Sequence, residues 1–136
     1  MAMLFTVEFL PLQKGSSDED DASTYAVKLS LRGTLSVDNA RETELFIKTL
    51  CLGGMKKLIL NLEHLSYVDS TGIGLIIRTK KNIVDHAGDL VLLNIPPKIN
   101  EVFDLVKLKS FVKDFYSDQK AVEYLRTAPK DGNVAA

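Results

Sequence analysis

Cys51 is the one cysteine in a chain of 136 residues, so an internal disulfide is excluded and a reducing compartment is expected. Basic charge is not in excess, with 17 Lys and Arg against 18 Asp and Glu. The electrostatic footprint of a nucleic-acid binder is therefore missing, and no direct nucleic-acid partner is expected. No uninterrupted apolar run approaches the roughly 20 residues of a membrane span. The opening "MAMLFTVEFLPLQKG" has neither a positive n-region nor an apolar run long enough for a signal peptide. These absences lead to the expectation of a cytoplasmic protein without a membrane span.

Catalytic and metal-binding patterns are missing as well. His64 and His86 are isolated and, with one cysteine, give no zinc spacing. The tract Asp18-Glu19-Asp20-Asp21 lacks the alternation and the glycine of a calcium loop and reads as a solvated loop. "VDSTG" has no leading glycine for a nucleophile elbow, and no phosphate-loop lysine follows "DSTGIG". No enzyme activity, metal or cofactor is expected. Cys51 falls in an apolar helical region and reads as a small core residue.

What the chain does have is apolar residues, 46% of the total, enough for one packed core. "MLFTVEFL" and "YAVKLSL" (Tyr25 to Leu31) alternate with period two and predict an antiparallel hairpin. Beyond it, helical and strand patterns alternate. "DNARETELFIKTLCLGG" is helical, with Asp38 as N-cap, Leu45, Phe46, Leu50 and Leu52 on its apolar side, and Gly53-Gly54 as the stop. "KKLILNLE" and "DLVLLN" read as buried strands flanking a helix that starts at Ser70. "PPKINEVFDLVKL" is a Pro-initiated helix, "FVKDFY" a strand, and "SDQKAVEYLRT" a last helix capped by Ser117 or Asp118. This order implies an α/β fold, a mixed and mostly parallel sheet of about five strands with helices packed on one side. Ile73, Ile76, Ile77, Val84, Leu60, Leu62, Val91 and Leu93 are the expected core. One domain is expected over residues 1–127, with an acidic hairpin loop at 14–24 and a fraying tail at 128–136.

The stretch "YVDSTGIGLII", Tyr67 to Ile77, poses a local problem. Glycine inside a helix costs about 1 kcal/mol relative to alanine, and two stand in the first turns, Gly72 and Gly74. One account is structural: Ser70 caps the helix and the glycines let it pack closely on the sheet. The other is functional: a partner approaches this helix start, and an exposed Ser70 hydroxyl is open to phosphorylation. Both fit a lone serine at a helix start.

"LILNLEHLSYVDSTGIGLII", continued by "GDLVLLNIPPKINEVFDLVKLKSFVKDFYSDQKAVEYL", resembles the STAS domains of bacterial anti-sigma factor antagonists. The resemblance implies a mixed sheet with helices on one side and a partner-switching role. The unphosphorylated antagonist binds a serine-kinase anti-sigma factor and frees a sigma factor. Phosphorylation releases the antagonist, and a metal-dependent serine phosphatase restores it. By this resemblance Ser70 is the phosphoacceptor, while Asp69, Thr71, Gly72 and Gly74 complete the partner-binding motif. Where many relatives carry G-E-L-D, this chain has "GTLSVD", which puts Ser36 at the aspartate position and Asp38 two residues on. A permanent interface in a stressosome-like or lipid-transport complex is the alternative that the resemblance allows.

Overall fold

The alternating pattern that begins at Tyr25 carries further than "YAVKLSL". Strand β2 spans Tyr25–Leu35, and β1 (Leu4–Pro11) pairs antiparallel with it, Phe5 opposite Leu31 and Val7 opposite Leu29. The structure is a computed structural model that describes residues 4–12 and 25–127; the expected acidic loop at 14–24 and the tail at 128–136 lie outside these. Strands β3 (Lys57–Val68) and β4 (Asp89–Leu93) add in parallel, Leu29 opposite Leu60 and Leu60 opposite Leu92. A two-residue β5 (Asp114–Phe115) pairs with β4, giving a sheet in the order β1-β2-β3-β4-β5. This is the expected mixed, mostly parallel sheet. Its β3 is longer than "KKLILNLE", however, and its β5 shorter than "FVKDFY".

Three helices, α1 (Ala40–Leu52), α2 (Ser70–Asp85) and α3 (Pro97–Leu105), connect successive parallel strands. Each crossover steps one strand in the same direction, so a common right-handed connection puts all three on one face. There Ile47, Leu75, Ile76, Ile83, Ile99 and Phe103 pack on Leu58, Leu60, Leu62, Leu90 and Leu92. Helix α4 (Asp118–Thr127) follows the last strand, is not a crossover, and lies on the other face. Its Ala121 and Leu125 cover Ala26, Ile59, Val91 and Leu93. Helices of 9 to 16 residues are marginal alone, so burial holds them, at roughly 1.5–3 kcal/mol for each large aliphatic side chain.

Of the expected core, Leu60, Leu62, Ile76, Val91 and Leu93 are buried, and Ile73 and Val84 pack at its margin. Ile77 is 38% exposed, because the inward stripe of α2 is Gly72, Leu75, Ile76, Thr79 and Ile83. Helix α1 departs further from its sequence pattern. It buries Ala40, Thr43 and Ile47, while Leu45 and Leu52 are 55% and 90% exposed. The Thr43 hydroxyl donates to the Asn39 carbonyl at 2.9 Å, so a polar residue sits in the core at no hydrogen-bonding loss.

Candidate functional site

Strands β2 and β3 run past the end of β4, and their last residues, Leu35 and Val68, lie side by side. Asp69 follows in extended conformation and is the N-cap of α2. Its two carboxylate oxygens serve two elements. Oδ1 accepts the Gly72 N–H at 3.0 Å, inside the helix, and Oδ2 accepts the Val37 N–H at 3.0 Å, in the loop after β2. The Asp69 N–H donates to the Leu35 carbonyl at 3.3 Å. The Gly72 and Val37 amides hold the carboxyl below the usual aspartate range, since they favour its charged form.

This arrangement corrects the reading of Ser70 as a helix cap. With Asp69 in that position, Ser70 is the first helical residue, exposed, and its hydroxyl has no partner among the described residues. Thr71 beside it is exposed too.

The two glycines have different reasons. A Cβ at Gly72 would stand 2.3 Å from the Leu35 carbonyl oxygen and 2.8 Å from Val68 Cγ2. Gly72 is buried and is required by the close approach of α2 to the ends of β2 and β3. At Gly74 a Cβ would meet one atom, Nη1 of Arg78, at 3.2 Å, the free end of a flexible side chain. Packing against backbone does not require Gly74.

The loop after β2 forms the second edge. Ser36 is turned inward, 6% exposed, with its N–H donating to Asn39 Oδ1 at 3.0 Å and its Oγ accepting the Asp38 N–H at 3.3 Å. Asp38 is exposed and is not the cap of α1; Asn39 holds that position, and its Nδ2 donates to the Thr34 carbonyl at 2.6 Å. Val37 is 70% exposed. Through Asp69 this loop and the start of α2 are tied into one surface carrying Val37, Asp38, Ser70, Thr71 and Gly74.

Sequence reasoning missed Asn39, which stands directly before the first helical residue but turns its side chain onto Ser36 of the loop and Thr34 of β2 and makes no cap bond to the helix. It also missed the neighbouring pair on α1 and α2. Arg78 Nε and Nη2 donate to Glu44 at 3.3 and 3.1 Å, which holds the Glu44 carboxyl below its ordinary range.

Among the described residues, no cluster of His, Cys, Asp and Glu is placed to hold a metal ion, and no helix is long and apolar enough to cross a membrane. Cys51 is half-buried, and burial pushes its thiol up, away from the reactive thiolate. It lines a groove of about 370 Å³ with Leu52, Met55 and His86, at the end of α2 opposite Ser70.

Comparison with known proteins places the surface in context. The model of the STAS domain matches residues 19–121. An anti-sigma-B factor antagonist of Staphylococcus aureus is 32% identical over 88 residues, which cover 65% of this chain and 80% of that protein. Among solved structures, the Bacillus cell fate determinant SpoIIAA in its phosphorylated form has a TM-score of 0.61 at 25% identity, covering 88% of this chain and 97% of that one. The anti-sigma factor antagonist SpoIIAA in its unphosphorylated form shares the fold, with a TM-score of 0.64 at 23% identity over 91% and 99% of the two chains.

Proposed function

The chain belongs to the STAS domain family, and we propose that it is an anti-sigma factor antagonist whose binding is switched off by phosphorylation of Ser70. The unphosphorylated form binds a serine-kinase anti-sigma factor and sets a sigma factor free; a metal-dependent serine phosphatase reverses the modification. The observation that carries this reading is the uncommitted Ser70 hydroxyl, exposed at a helix start that Asp69 already caps. Support comes also from the staphylococcal relative and from the existence of phosphorylated and unphosphorylated forms of SpoIIAA.

In this reading Ser70, Thr71, Asp38 and Gly74 meet the partner. Asp69, Gly72 and Ser36 act beneath them: Asp69 and Ser36 hold the loop after β2, and Gly72 lets the helix sit against it. A phosphate brings roughly −1.5 to −2 charges at pH 7 beside the Asp69 carboxylate. The helix N-terminus offsets part of that repulsion, so folding survives. Burying such a charge unpaired in an interface costs several kcal/mol, and affinity falls by orders of magnitude.

The test is capture from the native cell with immobilised Ser70→Ala and Ser70→Asp proteins, read by mass spectrometry. The alanine form captures a serine kinase and the aspartate form does not. Equal capture by both overturns the switch.

A further inference from the structure

Building on the reading of Ser70 as a phosphoacceptor, we infer that Arg78 receives the phosphoryl group once it is attached, reaching up α2 across Gly74 and giving up Glu44. The guanidinium engages Glu44 through Nε and Nη2, which leaves Nη1 without a partner among the described residues. Nη1 lies 3.2 Å from where a Cβ at position 74 would stand. Long helical side chains lean toward the N-terminus, which carries the Arg78 head one turn up from its own backbone. Ser70 is one turn further on, and Cβ atoms four residues apart on a helix are about 5–6 Å from each other. Gly74 thus leaves an open lane between the unused donors of Arg78 and the Ser70 hydroxyl. A lane of this kind accounts for a helix-interior glycine that packing does not require.

The exchange of partners follows from charge. A phosphoserine presents close to two negative charges and three acceptor oxygens, and a guanidinium can grip two of these at once. Glu44 presents one charge, and its pair with Arg78 is open to solvent on the arginine side. The other charges bordering Ser70 are acidic: Asp69, both of whose oxygens are engaged by amides, and exposed Asp38. Phosphorylation then alters more than one residue. The α1–α2 ion pair opens, and a free Glu44 carboxylate joins the surface that the partner meets.

The experiment installs phosphoserine at position 70 during translation, so it needs no kinase and is independent of whether one binds. Phosphorus NMR then follows the second ionisation of the phosphate, near pH 6 when unperturbed. The wild-type midpoint is expected about half a unit below that of Arg78→Ala, the size of an exposed ion pair. Gly74→Leu, which keeps Arg78 but fills the lane, should titrate like Arg78→Ala, and Arg78→Lys should recover part of the shift. Asp38 and Asp69 are common to all four proteins and drop out of the comparison, and Glu44, free of Arg78 in both phosphorylated wild type and Arg78→Ala, drops out of that pair. A wild-type midpoint equal to that of Arg78→Ala overturns the inference, as does a Gly74→Leu protein that titrates like wild type. If Arg78→Ala loses its dispersed amide spectrum, the Gly74→Leu comparison decides alone.

Discussion

A carboxylate has two oxygens to give and a carboxamide one, and at Asp69 that difference becomes structural. Asn is a good helix cap, so Asp69→Asn can keep the bond to the Gly72 amide. Its second head-group atom is then an NH2 facing the Val37 N–H, donor against donor. The variant should fold, melt below wild type, and show faster hydrogen exchange at Val37 than at Gly72. The pH dependence has a definite sign. A carboxyl whose pKa is lowered by folding contributes stability that is fully present above the unfolded value, about 3.9, and is lost as pH falls through the lower folded value. The gap in melting temperature between wild type and Asp69→Asn should therefore be constant near neutrality and shrink below about pH 4. The glycines make a second pair of opposed expectations. Gly72→Ala forces a methyl group against the Leu35 backbone, and the strain, typically about 1–3 kcal/mol, exceeds the roughly 1 kcal/mol gained in helix propensity. Gly74→Ala displaces the exposed end of Arg78 alone and should stabilise by about 0.5–1 kcal/mol. Urea midpoints of the two variants should move in opposite directions.

Among the elements, β1, the first part of β2 and α2 were legible because each repeats one period, and β4 because it is one continuous apolar run. Helix α1 was not. Hydropathy picks Leu45 and Leu52 for its inner side, yet the inward series Ala40-Thr43-Ile47 contains a small residue and a polar one. Thr43 is welcome there because its hydroxyl bonds Asn39, a local bond that no hydropathy scale registers. The overrun of β3 was hidden for a related reason. Residues 63–68 alternate irregularly between exposed and buried, across shifts in their register with β2. The Ser70 motif was visible in its residues, but the division of labour within it was not: Asp69 as cap and Gly72 for packing are facts of contact. Two substitutions on α1 separate the hydropathic stripe from the packed one. Leu52→Ser should change stability by less than about 0.5 kcal/mol, as at other exposed positions. Ile47→Ala should cost about 2–5 kcal/mol, since it empties volume between α1 and the sheet. Equilibrium urea unfolding of both proteins checks the assignment.

For the whole molecule, the sheet separates two apolar layers, and the Ser70 surface belongs to the side that carries α1 and α2. The opposite layer is held by α4, through Ala121 and Leu125, with Lys28 bridging to Asp118 at 3.0 Å and Arg126 donating to the Leu12 carbonyl. Over Leu58 to Leu62 of β3 and Leu90 to Leu93 of β4, odd and even residues point to different layers, so a volume lost in one need not be felt in the other. Leu125→Ala tests that separation. It should cost about 2–5 kcal/mol, a large part of the 5–15 kcal/mol that stabilises a typical domain, while leaving the chain folded at ambient temperature. In the amide spectrum, Ala26, Ile59 and Val91 should shift because they face the emptied site. Val37 and Gly72 should not, because the Asp69 bonds that fix them lie beyond the last residues of β2 and β3. If the proposed switch holds, capture of a serine kinase by the folded variant should then match that of wild type. Shifts at Val37 and Gly72 as large as those at Ile59 would mean that the two layers are coupled through the strands, and that α4 takes part in setting the geometry of the Ser70 surface.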